Sequence, residues 1–439
     1  MSDNFLGRET PEWLDGKSIN ETIFSREFLK DHPMRSVNGK FYTTEGQIRD
    51  ERILKRKIFS LIKPYVSSNL SQKANNILEV IRMDCTIAEF PIETDRIHVA
   101  NGTFYLNGEL SDERQFCQNR FPVAVNLCAG RPERFLNFLH NLLYEEDIPT
   151  LQEYLGYCLI PCTKAQKMMI IIGKGGEGKS RLGLILKKLM GSGVTMNSIQ
   201  KIETNRFARA DLEGRLVAVD DDMEMTALPK TSILKTLVTA ESEIDLEKKG
   251  MQSYQGRLYA RFLCFGNGEL TAYNDRSHGF YRRQLVLYTK DAPPDRVNDP
   301  FLVEKMESEL EEILMWCLGG LMRLVNNNYQ FTISPRAQAN AEAIQIQIDT
   351  VDAFMHSTGY IELVPNGIAS SACIKSAYEQ YCRENVFKPV EDRTLIKRLH
   401  DDAAKYGLRY GNLARNELNN RVWGFAGIRT DYKPKKPNF

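Results

Sequence analysis

A glycine-rich segment at residues 173–180 carries the pattern most closely tied to chemistry. It reads GKGGEGKS and lies between an apolar run, which predicts a β-strand, and an amphipathic stretch at 179–190, which predicts a helix. Glycines allow positive φ angles, so backbone N–H groups can turn inward around an anion, and the helix N-terminus points at the same place. This is the context of a Walker A loop, and it predicts a site for a nucleoside triphosphate.

The side chains of this loop have distinct expected roles. Lys179 is expected to contact the β- and γ-phosphates, and the hydroxyl of Ser180 is expected to bind an octahedral Mg²⁺. Gly173, Gly175, Gly176 and Gly178 are expected to adopt the positive φ angles that open the loop. The residues predicted to contact the nucleotide are Gly173, Gly175, Gly176, Glu177, Gly178, Lys179, Ser180 and Arg181.

A second apolar run ends in acids. Residues 215–222 read RLVAVDDD, which predicts a buried parallel strand with carboxylates at its C-terminal end. One carboxylate is expected to hold Mg²⁺ and another to polarise the attacking water. Asp220 and Asp221 form the best pair, with their division of roles left open, and Asp222 and Glu224 are weaker substitutes. An ordinary strand with an acidic end is the alternative, and it would be favoured for an isolated segment.

A third predicted strand, YARFLCFGN, ends in Asn267. In ring-forming NTPases a polar residue here, on a strand between the phosphate-loop and acidic strands, binds the γ-phosphate or the attacking water. A Gly-Asn pair after a strand is otherwise usually a turn. Arg276, Arg282 and Arg283 then precede another apolar strand. An arginine directed at a neighbouring subunit's γ-phosphate accelerates hydrolysis by orders of magnitude, and a solvated basic turn is the alternative.

The remaining patterns predict an α/β chain with three regions. Residues 1–125 mix helical segments with the hairpin turns Asn38-Gly39, Asn101-Gly102 and Asn107-Gly108. Residues 126–333 contain two helices before the glycine-rich loop, and a long helical segment near their end, FLVEKMESELEEILMWCLGGLMRLV. Residues 334–439 begin with helices and end in a Gly- and Asn-rich stretch.

Composition limits the class of protein. The chain has 439 residues with 58 Lys and Arg against 57 Asp and Glu, so nucleic-acid contacts must come from local basic clusters. The nine cysteines include no CxxC pair, which favours reduced thiols in the cytoplasm over a zinc site or a disulfide framework. The N-terminus lacks the regions of a signal peptide, and no apolar stretch is long enough to span a membrane. We therefore expect a soluble cytoplasmic protein without a membrane partner.

The order of the motifs resembles that of superfamily III helicases, in the branch of phage, plasmid and mobile-island replication proteins related to the poxvirus primase–helicase. The segments that carry the resemblance are GKGGEGKS, RLVAVDDD, ESEIDLEKKGMQSYQGRL, LCFGN and GFYRR. Upstream, NGTFYLNGEL and the helices before the loop resemble a helicase-associated domain, and RVWGFAGIR near the end resembles a winged-helix tail. The resemblance implies a P-loop AAA+ core, a homo-hexameric ring, and ATP hydrolysis coupled to translocation on DNA in a bacterial host.

Two features differ from that family. Its larger members carry a primase domain before the helicase, and we expect none in the unassigned residues 1–90 because they are too few to form one. The acidic strand ends in three Asp residues where many relatives have a Glu, which leaves the catalytic carboxylate open.

The resemblance also implies a hairpin that grips single-stranded DNA in the pore of the ring. In EIDLEKKGMQSYQGRLYA, alternating Ile244 and Leu246 lead to a Lys248-Lys249-Gly250 tip and a returning strand. Lys248 and Lys249 would then follow the phosphate backbone independently of sequence. Without the resemblance, lysines that protect an exposed edge strand would be the favoured interpretation.

The expected function is therefore an ATP-dependent replicative helicase of a mobile genetic element. Its expected partners are single-stranded and forked DNA, further copies of itself, and a primase or other replication proteins. One alternative is an origin-binding initiator. Its contacts with duplex DNA could come from the terminal PKKP and from the basic residues Arg393, Lys397, Arg398, Lys405, Arg409 and Arg415. A solvated charge pattern explains those residues equally well. The other alternative is a regulatory P-loop ATPase without unwinding activity.

Overall fold

The computed structural model describes residues 10–16, 18–223, 231–250, 252–267, 282–291, 299–348, 350–385, 387, 389–415 and 420–433. The chain divides into two compact units, one with the described residues up to Ala337 and one with those from Gln338 onward. No helix within the described ranges is both long enough and apolar enough to cross a membrane.

The first unit begins with small antiparallel sheets and three helices. The pair β1–β2 is followed by the sheets β3–β4–β5 and β6–β7–β8. Helix α2 illustrates why the helices form, since its buried residues Leu54, Ile58 and Ile62 recur every fourth position on one face. The elements are β1 (Leu14–Asp15), β2 (Ser18–Ile19), α1 (Glu21–Asp31), β3 (Arg35–Val37), β4 (Lys40–Thr43), β5 (Gly46–Gln47), α2 (Arg52–Ile62), α3 (Leu70–Asp84), β6 (Arg96–Val99), β7 (Gly102–Tyr105) and β8 (Leu110–Ser111).

The predicted hairpins form, but one turn is shifted. Asn38 and Gly39 make a two-residue turn with φ angles of 49° and 76°. At the next hairpin Val99 pairs with Gly102, so the turn is at residues 100–101 and Gly102 belongs to β7. A Cβ at Gly102 would lie 1.9 Å from the carbonyl oxygen of Ser111. Glycine is therefore required there by the close approach of β8 rather than by the turn.

The rest of the first unit surrounds a larger sheet. Short 3-10 helices lie at Glu145–Asp147 and Gly191–Gly193. The remaining elements are α4 (Glu133–Leu142), α5 (Ile148–Tyr157), β9 (Met168–Gly173), α6 (Ser180–Met190), β10 (Val194–Met196), α7 (Ile199–Thr204), α8 (Arg206–Ala210), β11 (Val217–Met223), α9 (Ser232–Thr239), β12 (Ile244–Leu246), β13 (Tyr254–Gly256), β14 (Arg261–Asn267), β15 (Gln284–Tyr288), α10 (Leu302–Glu307) and α11 (Leu310–Asn326). The division between the two units falls within α12 (Pro335–Ile348).

Five of these strands form a parallel sheet in the order β10-β11-β14-β9-β15. The strand that ends in Asn267, β14, therefore lies between the strand before the glycine-rich loop and the strand that ends in acids, as expected from the sequence. Because all five strands run the same way, the segments that follow β9, β11 and β14 meet at the carboxyl edge of the sheet. Strands β12 and β13 form a separate antiparallel hairpin.

One hydrophobic core joins the parallel sheet to its helices. The phenol of Tyr154 in α5 donates a hydrogen bond of 2.6 Å to the carbonyl oxygen of Phe262 in β14. The core also includes Ile97, Val99 and Phe121, whereas residues 13–85 pack around a core of their own. The core thus continues across residue 125, and the three-region division from the sequence stays a prediction.

The long helical segment at 301–325 is two helices, α10 and α11, rather than one. Between them Glu309 leaves the helical conformation, with φ −113° and ψ 21°. Its carboxylate accepts hydrogen bonds of 3.1 Å from the backbone N–H groups of Arg134 and Phe135 at the start of α4. The break therefore supplies a cap to a helix that is distant in sequence.

The second unit packs helices against a three-stranded antiparallel sheet in the order β16-β18-β17. Phe354, Tyr378, Leu395 and Phe425 are among the residues of its core. This arrangement is a mixed α/β one, and the winged-helix assignment stays a prediction. The elements are α13 (Thr350–Met355), β16 (Glu362–Ser370), α14 (Ser371–Glu384), α15 (Asp392–Asp401), α16 (Ala403–Tyr406), β17 (Arg409–Arg415) and β18 (Arg421–Arg429).

Candidate functional site

The glycine-rich loop connects β9 to α6 at the carboxyl edge of the parallel sheet. Gly175, Gly176 and Gly178 have φ angles of 105°, 84° and 97°, in the region that favours glycine. Gly173 does not, because it is the last residue of β9, so the expected positive φ is wrong at this position. A Cβ at Gly173 would lie 2.6 Å from Nζ of Lys179. Glycine is needed here to make room for that side chain.

The carboxylate of Glu177 lies inside the loop. Oε2 accepts a hydrogen bond of 2.8 Å from Nζ of Lys179, and Oε1 accepts one of 2.9 Å from the N–H of Gly175 and another from the N–H of Lys174. Glu177 and Lys179 are only 4% and 7% exposed. The inward N–H groups of the loop therefore already bind an anion, which is the Glu177 carboxylate of the chain itself.

The pKa of Glu177 reflects these contacts. Burial alone raises it, but the hydrogen bonds from Lys179 and from the backbone N–H groups outweigh burial and hold the pKa below its ordinary value. The ionised form is therefore the stable one in this loop. The sequence pattern places Glu177 only among the residues that contact the nucleotide. Its second role, as an internal anion that binds Lys179 and the loop N–H groups, has one signal in the sequence. That signal is an acid two residues before the lysine, in a loop whose N–H groups point inward.

Asn267 completes the surroundings of the Lys179 ammonium group. In the sheet register Asn267 lies opposite Gly173 on the neighbouring strand. Its Oδ1 accepts a hydrogen bond of 3.0 Å from Nζ of Lys179. The structure thus brings together three of the predicted site residues, Glu177, Lys179 and Asn267.

The two carboxylates at the end of β11 have different surroundings. Asp220 is buried, and its Oδ2 accepts a hydrogen bond of 2.7 Å from the N–H of Ile199 at the start of α7. Burial raises the pKa of Asp220, and backbone hydrogen bonds from Ile199 and Asp222 partly oppose that effect. Asp221 is exposed. Asp220 therefore acts as a helix cap, whereas Asp221 faces solvent.

The residues predicted to bind magnesium offer oxygen atoms, which suits that ion. Ser180 is exposed in the first turn of α6, near the loop, and Asp221 is exposed at the end of its strand. Within the described ranges there is no cluster of three or more His, Cys, Asp or Glu that could hold a metal on its own. Arg181 donates a hydrogen bond of 3.0 Å to the carbonyl oxygen of Asp299, so it ties the start of α6 to that segment.

Arg282 and Arg283 lie at the opposite, amino edge of the sheet. The carbonyl oxygen of Arg283 accepts a hydrogen bond of 2.8 Å from the N–H of Met168, the first residue of β9. At about 3.3 Å per residue, the length of β9 separates this pair from the glycine-rich loop by roughly 17 Å. The two arginines are therefore not brought to Lys179 within one chain, and Arg276 lies outside the described residues.

The two lysines at the tip of the β12–β13 hairpin are not equivalent. Lys248 forms an ion pair with Glu213, and its ammonium group lies 5.1 Å from the centre of the Tyr254 ring. Burial lowers the pKa of Lys248, but Glu213 and Tyr254 outweigh burial and raise it. Lys249 is exposed beside Gly250, whose φ is 80°. Only the second lysine of the predicted pair is directed into solvent.

Comparisons with known proteins give a match to a family model and a likeness to solved structures. The model of a family of unknown function (DUF5906) matches residues 171–283, from the end of β9 to the Arg282-Arg283 pair. Among solved structures the chain is similar to an apo form of the C-terminal region of NrS-1, with 13% identity over 93% of this chain and 99% of that one and a TM-score of 0.54. Another form of that region gives 14% identity, 89% and 88% coverage and a TM-score of 0.49. The first likeness shows a shared fold over most of the chain.

Proposed function

We propose that this chain is an ATP-dependent DNA helicase that works as a hexameric ring in the replication of a mobile genetic element. The observation that carries the proposal is the ammonium group of Lys179, held between Glu177 and Asn267 inside a loop of inward N–H groups. A buried cation beside converging N–H donors is suited to a polyphosphate. The strand order supports a motor, because the polar ends of three neighbouring strands converge on one edge of the sheet.

Nucleotide binding at this loop is an exchange of anions. The N–H groups of Lys174 and Gly175 and the ammonium group of Lys179 leave the Glu177 carboxylate and donate to phosphate oxygens instead. The number of hydrogen bonds changes little, so the gain comes from the higher charge of the phosphates and from the solvation that Glu177 recovers.

Hydrolysis then uses the exposed carboxylate. Ser180 and Asp221 are the residues that would hold Mg²⁺, which neutralises charge on the β- and γ-phosphate oxygens when bound. Asp220 is less suited to this role because the Ile199 N–H already occupies its Oδ2. Asn267, next to Lys179, orients the γ-phosphate or the attacking water. Arg282 and Arg283 serve the site of a neighbouring subunit, since their own site lies at the other edge of the sheet.

Movement of the β12–β13 hairpin would couple hydrolysis to DNA. Lys249, exposed at its tip, contacts the phosphates of a single strand in the pore of the ring. Lys248, at the same tip, is paired with Glu213 and holds the hairpin in place instead.

The test is Lys179→Ala in the full chain. ATP hydrolysis and unwinding of forked DNA should fall by at least about 100-fold, because the main positive charge on the β- and γ-phosphates is removed. Lys174→Ala is the matched control, since that loop lysine is 80% exposed and pairs with Asp291 at the surface. It should keep most of the activity. Circular dichroism verifies that both variants fold.

Two outcomes would contradict the proposal. Normal turnover in a folded Lys179→Ala variant would remove the nucleotide site from this loop. Slow hydrolysis by the wild type that DNA does not stimulate, without any unwinding, would identify a regulatory ATPase rather than a motor.

A further inference from the structure

The second unit carries an aromatic ladder that leads from its core to its surface. Phe425 is fully buried and lies opposite Tyr410 in the register of β17 and β18, with ring centres 4.7 Å apart. Trp423, two residues before Phe425, also stacks on Tyr410, with ring centres 5.2 Å apart and an angle of 29° between the rings. Trp423 is 58% exposed. The ladder thus fixes the orientation of an indole ring that is largely open to solvent.

Helix α15 forms the other wall of a groove beside this ring. Leu395 and Leu399 of the helix are buried in the core. The residues of the helix that face the groove are Asp392, Arg393, Ile396, Lys397 and His400, and most of them recur at helical spacing. With Tyr410 and Trp423 they line a groove of about 530 Å³. One wall is therefore aromatic and the other is mainly basic.

The charges of this groove do not cancel. Lys375 of α14 also lines it, and its ammonium group pairs with the carboxylate of Asp392 at 3.0 Å. His400 lies 3.5 Å from a carboxylate oxygen of Asp401. Arg393 and Lys397 are exposed, and among the described residues neither of them takes part in an ion pair. The groove therefore keeps two uncompensated cations beside an exposed indole.

We propose that this groove binds single-stranded DNA, with an unpaired base stacked on Trp423 and the flanking phosphates against Arg393 and Lys397. The proposal rests on the proposed function in taking DNA as the ligand. It adds a second contact with the strand, on a different unit from the β12–β13 hairpin.

The aromatic face decides between single-stranded and duplex DNA. Bases in a duplex stack on one another and present only their edges in the grooves, so a flat ring at the surface has nothing to stack on. Unpaired bases expose both faces, and stacking on an aromatic side chain is their usual mode of binding. The two cations suit the phosphates of the same strand and give no base preference.

Fluorescence of the full, nucleotide-free chain tests this contact. The chain has three tryptophans, of which Trp13 is 7% exposed and Trp316 is half-buried. Oligo(dT) should quench the emission of the wild type, since a stacked base quenches the exposed indole. Trp423→Phe should abolish this quenching but keep the affinity within about twofold, because a phenyl ring still stacks.

Two further variants separate stacking from charge. Trp423→Ala should weaken oligo(dT) binding about tenfold, the usual effect of removing one stacked base. Arg393→Ala combined with Lys397→Ala should reduce the slope of log affinity against log salt by about 1.4, or about 0.7 for each phosphate that is no longer neutralised. Phe301→Ala is the matched aromatic control, since Phe301 is 64% exposed in the first unit. Arg429→Ala is the control for charge, because that exposed arginine pairs with Glu362. Both controls should bind like the wild type.

Three results would overturn the inference: no quenching of the wild type, unchanged affinity in Trp423→Ala, or stronger competition by duplex than by single-stranded DNA. ATP hydrolysis without DNA, measured on the same samples, separates this inference from the proposed function. Loss of the oligo(dT) effects in an active motor would refute the groove alone. Trp423-dependent binding by a chain that neither hydrolyses ATP nor unwinds DNA would refute the motor and leave the groove in place.

Discussion

Positive charge is held in two different ways in this chain. At the carboxyl edge of the parallel sheet, Lys179 is 7% exposed and its ammonium group contacts Glu177 and Asn267. In the groove of the second unit, Arg393 and Lys397 are exposed. A buried charge must be paired because desolvation is costly, whereas an exposed charge needs no partner. A ligand must therefore replace a partner at the first site, but it only adds contacts at the second.

This difference sets what each region can do. Exchange at a buried site makes each partner essential and favours a ligand with the right charge and shape. Addition at an exposed surface gives weak contacts that depend on salt and tolerate any sequence. The first arrangement suits a nucleotide that is bound, hydrolysed and released. The second suits a nucleic-acid strand that moves along the surface.

The largest expected effect separates the exposed Asp221 from the buried Asp220. Asp221→Ala should lower ATP hydrolysis by about 100-fold or more, because the site loses a residue that would hold Mg²⁺, and change the free energy of unfolding by less than about 0.5 kcal/mol. Asp220→Ala should instead lower the free energy of unfolding by about 1–2 kcal/mol, because α7 loses its cap. Steady-state ATPase assays and urea unfolding of both variants measure this contrast.

The opposite pattern, with a stable but inactive Asp220→Ala variant, would assign the catalytic role to the buried carboxylate. The distinction between a buried structural carboxylate and an exposed catalytic one would then be wrong for β11.

A smaller effect is expected from Glu177→Gln, which tests whether the buried carboxylate competes with the nucleotide. Without that anion, Lys179 has no charged partner among the residues that the structure describes, so an ATP analogue should bind about tenfold more tightly, equivalent to about 1.4 kcal/mol. Calorimetric titration measures the affinity. Asp291→Asn is the control, because that carboxylate is 74% exposed and pairs with Lys174 outside the loop.

The same variant has a signature in pH. Because the pKa of Glu177 is lowered from its ordinary value of 4.5, its contribution to stability is present above that pH and is lost as the pH falls through the lowered value. As the pH is lowered below about 4.5, the free energy of unfolding should therefore fall more steeply for the wild type than for Glu177→Gln. Weaker nucleotide binding by the variant would show that Glu177 supports the bound state rather than competing with it.

The smallest effect is expected at the hairpin, where exposure again distinguishes two neighbours. Lys249→Ala should reduce the slope of log affinity for single-stranded DNA against log salt by about 0.7 and leave basal ATP hydrolysis intact. Lys248→Ala should change that slope less, because its ammonium group already pairs with Glu213. Binding across a salt series measures both, and equal slopes for the two variants would contradict the distinction.

Local patterns were sufficient to predict the elements that position the site. Apolar runs indicated the strands β9, β11 and β14, because burial on both faces of a parallel sheet requires such runs. The order of β9, β14 and β11 followed from the resemblance in motif order, and the sheet confirms it.

Contacts between residues distant in sequence account for what the patterns missed. The break before α11 depends on α4, whose N–H groups bind the carboxylate of Glu309. The separate role of Asp220 depends on Ile199, which lies on another element. The need for glycine at 173 depends on where the side chain of Lys179 folds back. None of these contacts leaves a periodic trace in the sequence.

The placement of Arg282 and Arg283 at the amino edge of the sheet has a consequence for symmetry. The glycine-rich loop lies at the other edge, so the two edges of the sheet carry different functional residues. If the arginines of one chain reach the loop of the next, the contact joins different surfaces and cannot be a two-fold one. Such head-to-tail contacts either close into a ring or continue as an open helix. In both cases the order of the chains around the assembly has a defined direction. A single chain with altered arginines would then silence its neighbour's site and not its own.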